Sequence, residues 1–274
     1  MPASQMEKGR AFRKLHESGC FVIPNPWDAG SAKLLAGLGF KALATTSAGL
    51  AFALGEPDGA ARIGRAETIA NVRAIVAATD LPVSADLEDG FGPKPEDAAE
   101  TIREGAAAGL VGGSIEDSTR GGSEPVYEIG RATERVRAAA EVAKGLPFPF
   151  MLVGRAENYL HGRADIADTI RRLQAYQEAG ADLLYAPGLR TREEIASVVT
   201  SVDRPVNVLL GAGGLSVADL ASLGVRRISV GGTLYRAAMG GFLKAARVLA
   251  EQGVANFAPD ATPHGELNKS FAPR

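Results

Sequence analysis

A closed (β/α)8 barrel is the fold class this sequence predicts, on three observations. Eight short apolar or β-branched runs recur down the chain, helical patterns with apolar residues every three or four positions lie between them, and one phrase is written repeatedly. That phrase, in AAAGLVGGSIED, EAGADLLYAPG and ASLGVRRISVGG, reads helix end, glycine, short strand, then a small or acidic residue. Strict alternation implies parallel strands joined by right-handed crossovers. Eight such units in 274 residues favour a closed barrel over an open doubly wound sheet.

Taken in order, the strands are expected at 21–24, 42–46, 82–86, 111–115, 150–153, 183–186, 205–208 and 227–230. Helical patterns occupy 65–78, 95–108, 128–143, 165–178 and 216–223. Their ends carry the residues that helix ends need: Asp165 and Ser216 as N-caps, Pro95 in a first turn, and Gly109, Gly180 and Gly224 just past the last periodic residue. No linker or shift of composition divides the chain, so 1–274 is expected to be a single domain, with the barrel over about 21–242. A C-terminal helix and tail at 243–274, with Pro259, Pro263 and Pro273, lie outside the alternation and are expected to pack on the barrel or on a neighbouring subunit.

Composition narrows the function classes. Thirty Lys and Arg against 32 Asp and Glu give a net charge of −2, with both signs dispersed, which leaves no footprint for nucleic acid. A small anionic substrate stays compatible, because a pocket needs only local charge. Cys20 stands alone, which excludes an intrachain disulfide and a thiolate-rich metal site and fits a reducing, cytoplasmic compartment. The first residues are charged throughout and lack the apolar core of a signal peptide. The uncharged stretch 42–55 falls short of the roughly 18 residues of a spanning helix, so no membrane is expected.

Barrel active sites occupy the carboxyl ends of the strands, so the residues following each strand carry the chemistry. After the second come Thr45, Thr46 and Ser47; after the third, Asp86, Glu88, Asp89 and the glycines 90 and 92; after the fourth, Glu116 and Asp117; after the fifth, Arg155, Glu157 and Asn158. Asp86 and Glu88 share a strand face and Glu116 comes from the next strand. Three carboxylates at one mouth call for compensation, and an all-oxygen donor set suits Mg²⁺, or Mn²⁺. Helix capping or pairing with Arg155 and Arg120 is the alternative use of these acids. An EF-hand is excluded, because Phe91 stands where its glycine belongs. Gly211, Gly213, Gly214, Gly231, Gly232 and Thr233 follow the last two strands, where many barrels hold phosphate, and define a rival reading. His16 and His264 fall in segments expected to be peripheral, and His161 on a solvated loop. Cys20, ahead of the first strand, reads as a packed thiol at the wrong end for catalysis. Asp28 fits a helix cap, and Trp27 beside it could wall a pocket.

Five segments in order resemble the isocitrate lyase and phosphoenolpyruvate mutase superfamily, from about Phe21 to Phe242. NPWDAGSAKLL is similar to its first βα unit and TTSAGLAFALGEPDG to its second; SADLEDGFG resembles its D-x-D-x-G-Y-G metal loop, SIEDS its E-D strand and VGRAENY its A-R-T-D strand. The resemblance implies a Mg²⁺-binding barrel, with Asp86, Glu88 and Glu116 at the metal. Its members handle small 2-oxo or 2-hydroxy acids, breaking C–C or P–C bonds beside the carbonyl. They are usually tetramers that exchange a terminal helix, so a homo-oligomer, dimer or tetramer, is expected. Two departures matter. The lyase loop with its catalytic cysteine is replaced by Ser118, Thr119, Arg120, Gly121, Gly122 and Ser123, and the second metal-loop acid is Glu88 instead of Asp.

The resulting expectation is a Mg²⁺-dependent lyase or decarboxylase acting on a small 2-oxo or 2-hydroxy di- or tricarboxylate through an enolate. Arg155, Ser47 and Asp58 take catalytic positions, and Ser47, Arg155, Trp27 and Asn207 bind substrate. The loop from Ser118 closes over it on Gly121 and Gly122. Tyr159, Glu157, His161 and Arg120 are acid or base candidates by position. A P–C bond enzyme using Thr119, Arg120 or Ser123, and a phosphate-binding barrel without metal chemistry, are the two alternatives.

Overall fold

Each predicted run becomes a strand in the computed structural model, which describes residues 3–121, 123–211 and 214–272. The strands are β1 (Phe21–Ile23), β2 (Leu43–Ala44), β3 (Val83–Asp86), β4 (Gly112–Glu116), β5 (Met151–Arg155), β6 (Leu183–Tyr185), β7 (Val206–Leu209) and β8 (Arg227–Ser229). All neighbours pair in parallel, in the order β1-β8-β7-β6-β5-β4-β3-β2. The seam between β1 and β2 is joined by the Ala44 N–H donating to the Pro24 carbonyl at 3.1 Å and by Asn25 Nδ2 donating to the Thr45 carbonyl at 3.0 Å. The result is the (β/α)8 barrel.

The helices are α1 (Gln5–Leu15), α2 (Ala29–Gly37), α3 (Ser47–Ala53), α4 (Arg65–Ala77), α5 (Pro95–Ala107), α6 (Ile129–Gly145), α7 (Ile166–Ala179), α8 (Arg192–Ser201), α9 (Val217–Ser222), α10 (Thr233–Gln252) and α11 (His264–Phe271). Their caps are the ones the sequence announces. Asp28, Asp165 and Ser216 accept backbone N–H groups at the starts of α2, α7 and α9, and Gly180 ends α7 in the left-handed region. Side chains at alternate strand positions meet the inner helix faces in one continuous apolar layer, with Val72, Ile102, Ala139, Leu173 and Val198 buried against the sheet. No helix among the described residues is long and apolar enough to cross a membrane.

Four boundaries differ with consequence. β2 is short because Thr46 turns out of it to cap α3, accepting the Gly49 N–H at 3.2 Å. β4 and β5 run on to Glu116 and Arg155, which therefore stand side by side in register instead of in loops. α10 also runs unbroken across the boundary expected at 242, and α11 returns to touch α2.

α1 is an element the alternation does not announce. A Ser4–Glu7 capping box starts it, and it lays Phe12, fully buried, under the amino-terminal end of the barrel. Gly112 on β4 makes this possible, since a Cβ there would stand 2.9 Å from the Phe12 ring. His16 is not peripheral: it is buried, donates Nδ1–H to the Phe12 carbonyl at 2.8 Å and meets Phe12 and Phe21 edge to face. Burial first, and Arg227 next, lower its pKa to about 3. The neutral ring is therefore the folded form, while the unfolded chain takes up a proton near the ordinary value. Stability from this group is full above about pH 6.5 and declines as pH falls toward 3, by about 1.4 kcal/mol per unit. His16→Phe should flatten the urea-melting pH profile between pH 6 and 4; equal slopes in both proteins would contradict the burial argument.

Candidate active site

The third strand delivers the first acid. Asp86 ends β3, and the turn after it is shaped by two side-chain caps: Asp86 Oδ1 accepts the Glu88 N–H at 3.2 Å, and Asp89 Oδ1 accepts the Phe91 N–H at 3.0 Å. Glu88 and Phe91 are consequently held at φ of 47° and 61°, unusual for residues with a side chain. The strain is over-determined, since the Glu88 carbonyl also accepts the Glu116 N–H at 3.0 Å.

Arg155 organises the centre. Its Nη1 stands 3.3 Å from Asp86 Oδ2 and 3.3 Å from Glu116 Oε2, its Nε donates to Glu157 Oε1 at 2.5 Å, and its guanidinium lies 5.1 Å from the centroid of the Tyr185 ring. Burial opposes its charge, and Glu116, Glu157 and Asp86 more than offset that. Ser47, the first residue of α3, donates its hydroxyl to Asp86 Oδ2 at 2.9 Å. A cavity of about 220 Å³ opens at the carboxyl ends of the strands, and Ser47, Asp58, Asp86, Arg155 and Asn207 all line it. Five of the residues expected at the site thus meet in one space.

The acids around it are held toward their protonated forms. Glu88 is pushed up to about 7, by burial first and the charge of Asp86 second, with Arg120 opposing. Asp58 is raised by burial and then by Asp86, and Glu116 well above its ordinary value by burial. This is the signature of carboxylates crowded into a dry pocket. The donor set is all oxygen, as a hard divalent cation requires. The residues fit such an ion at the Asp86 carboxylate, with Glu88 and Glu116 standing behind the lining. A direct cage of three carboxylates is not formed. Among the described residues no group of three or more His, Cys, Asp or Glu is placed to grip an ion, because Arg155 sits between Asp86 and Glu116 and the Ser118 hydroxyl donates to the latter.

Other expected residues are placed elsewhere. Trp27 is outside the lining; its ring packs edge to face on Tyr235 at 5.3 Å. The Tyr159 hydroxyl donates to Glu194 at 3.2 Å, and His161 is exposed. Arg120 donates to the Ile63 carbonyl at 2.6 Å and pairs with Glu88 and Asp89, so this loop residue is tied to the metal-loop turn. The described loop residues Ser118, Thr119, Gly121 and Ser123 do not line the cavity either, and Gly122 lies outside the described residues. Gly231 and Gly232 do line it, whereas Gly211 belongs to a separate groove beside α8; Ala212 and Gly213 lie outside the described residues. Asp117 is structural: it accepts from Arg172 at 2.9 Å, from the Tyr176 hydroxyl at 2.6 Å and from the Glu157 N–H at 2.7 Å.

A family model for phosphoenolpyruvate phosphomutase matches residues 12–250. The chain belongs to that family. It is accordingly an enzyme of the isocitrate lyase and phosphoenolpyruvate mutase superfamily. An oxaloacetate decarboxylase of Rhodopseudomonas palustris strain BisA53 is 30% identical over 79% of this chain and 74% of its own length. A solved structure from Burkholderia cenocepacia J2315, a lyase/mutase by provisional description, has a TM-score of 0.95 at 53% identity and covers 98% of this chain and 97% of that one. A phosphonopyruvate hydrolase solved with oxalate and Mg²⁺ has a TM-score of 0.86 at 25% identity, covering 96% of this chain and 94% of that one.

In this member of the family the barrel interior holds polar residues that the sequence analysis passed over. Asn25 is buried, and its Oδ1 accepts the Val230 and Gly231 N–H groups at 2.8 and 2.9 Å, pinning the loop after β8 to β1. Ser84, Ser114, Tyr185, Arg227 and Ser229 also face the cavity. The available signal was strand phase: each of these β3 to β8 residues is a polar side chain at an inward position of a strand whose other face is apolar.

Proposed function

We propose that the chain is a Mg²⁺-dependent lyase or decarboxylase for a small 2-oxo or 2-hydroxy di- or tricarboxylate, working through an enolate, with decarboxylation of an oxo diacid the favoured reaction. The observation that carries this is the gathering of Asp86, Arg155, Ser47 and Asp58 around one cavity. The similarity to an oxaloacetate decarboxylase supports it.

Asp86, with Glu88 and Glu116 behind it, would hold Mg²⁺, which would supply positive charge to offset the negative charge that develops on the substrate's oxo group. Arg155 pairs with the same end of the substrate through its planar fork. Ser47 hydrogen-bonds the other carboxylate oxygen with its hydroxyl and N–H, both of which point to Asp86 Oδ2 in this structure. When the C–C bond breaks, its electron pair moves into the oxo group and CO₂ leaves. That step needs no base, which matches the placement of Glu157 on Arg155, Tyr159 on Glu194, Arg120 on Ile63, and His161 in solvent. The enolate then needs a proton, and the Asp58 carboxyl, in the cavity and raised by burial and Asp86, can give one. The loop from Ser118 to Ser123, with Gly121 at φ 83°, closes over the mouth to exclude water. A homo-oligomer is part of the proposal, since α10 buries none of its residues within the single chain and leaves Phe242 62% exposed.

A substrate panel tests the reading. With Mg²⁺ present, oxaloacetate or a substituted malate should turn over, and isocitrate and 2-methylisocitrate should be poor. Pyruvate, glyoxylate, CO₂ and phosphate are the products to follow. Rapid glyoxylate release from isocitrate would overturn the argument from the missing loop cysteine, and phosphate from phosphonopyruvate would move the enzyme to P–C chemistry.

A further inference from the structure

Arg227 has no role in the chemistry above. It lies on β8 at an inward position, one residue before Ile228, which faces the helical layer, and it is 5% exposed. Its Nε donates to Asn207 Oδ1 at 2.9 Å, and Asn207 Nδ2 in turn donates to Ser229 Oγ at 3.0 Å, so two buried neighbours fix the guanidinium. Its Nη1 is buried and has no hydrogen-bond partner among the described residues. Among the described residues no carboxylate is ion-paired with it, and the Tyr185 phenol nearby, pushed up to about 12 chiefly by burial, is neutral. Arg155, by contrast, has three carboxylates. A buried cation with an idle N–H is unfavourable until an anion completes it. A trapped water would satisfy the N–H and leave the charge uncompensated.

The cavity lined by Ser47, Asp86 and Arg155 is also lined by Arg227. We propose that Arg227, oriented by Asn207, is the specificity residue that receives a second, distal carboxylate of the substrate. This inference rests on the oxo-acid reading and deepens it: it assigns the residue that selects a di- or tricarboxylate over a monocarboxylate with the same head. The acid head lies with Asp86 and Arg155, and the tail completes the Arg227 guanidinium in the bound ground state; where that tail is the carboxylate lost as CO₂, its ion pair with Arg227 opens before the C–C bond breaks.

Malate and 2-hydroxybutanoate share a head and differ only in a distal carboxylate against a methyl, so they separate the two ends. Both, with oxalate as a tail-less reference, would be titrated calorimetrically into the full chain with Mg²⁺. Wild type should prefer malate over 2-hydroxybutanoate by tenfold or more. Arg227→Met should abolish that preference while oxalate affinity stays within about twofold. Arg227→Lys, which keeps the charge and loses the oriented Nε, should reduce the preference and serves if the Met variant does not fold. Equal wild-type affinities for the two acids, or a preference that survives both substitutions, would overturn the assignment while leaving the oxo-acid reading in place. If wild type binds neither oxalate nor malate, both fall together.

Discussion

Asp86→Asn is expected to lower turnover on the order of 10²–10³-fold while the protein stays folded with a melting temperature within about 3 °C of wild type. The amide retains an oxygen at the Oδ1 position for the Glu88 N–H, and its Nδ2 can donate to the Ser47 hydroxyl, which accepts as well as donates. It removes the carboxylate charge from the cavity, and with it the donor that a hard cation needs. Arg155 keeps Glu116 and Glu157, so the buried guanidinium is not stranded. A variant that loses stability in step with activity would instead make Asp86 a structural partner of Arg155.

Asp117, the neighbour of Glu116 in sequence, should behave in the opposite way. Its carboxylate is buried and accepts from Arg172, the Tyr176 hydroxyl and the Glu157 N–H, linking β4 to α7 and to the end of β5. Asp117→Ala leaves Arg172, itself buried, without its deepest partner, for an expected loss of about 3–5 kcal/mol in urea unfolding. Removing both ends should be milder. The double substitution Asp117→Ala with Arg172→Met is expected to be more stable than Asp117→Ala alone, because no uncompensated charge remains. A double variant less stable than either single would show that the pair acts through packing.

These two adjacent acids illustrate how far the sequence could be read. The phrase SIED places both at the mouth of the barrel, but Glu116's seat beside Arg155 rests on β4 running on in register with β5, and only the helix packed outside shows that Asp117 is satisfied from α7. Arg155 was legible as a substrate-facing cation; its seat between Asp86 and Glu116 was not, because it depends on β4 and β5 extending into register at their ends. Arg227 was passed over because an arginine pair in VRRIS reads like a solvated strand end. Only alternation against the apolar Ile228 distinguishes the inward position. His16 and α1 were missed for a related reason. Charges dominate that segment, and its burial rests on Phe12 finding the space that Gly112 leaves beneath the barrel. Trp27, an aromatic after β1, turned from the pocket to Tyr235 on α10, a partner that lies 208 residues further along the chain.

The central claim is that Asp86 and Arg155 form the binding site for the acid head of an oxo acid, with Mg²⁺ at Asp86. Titrating oxalate, which mimics an enolate, into the wild-type enzyme with and without Mg²⁺ tests it most directly. Binding should need the metal and be lost in Asp86→Asn; oxalate binding of equal strength without Mg²⁺ and in that variant, or no binding at all, would rule this site out.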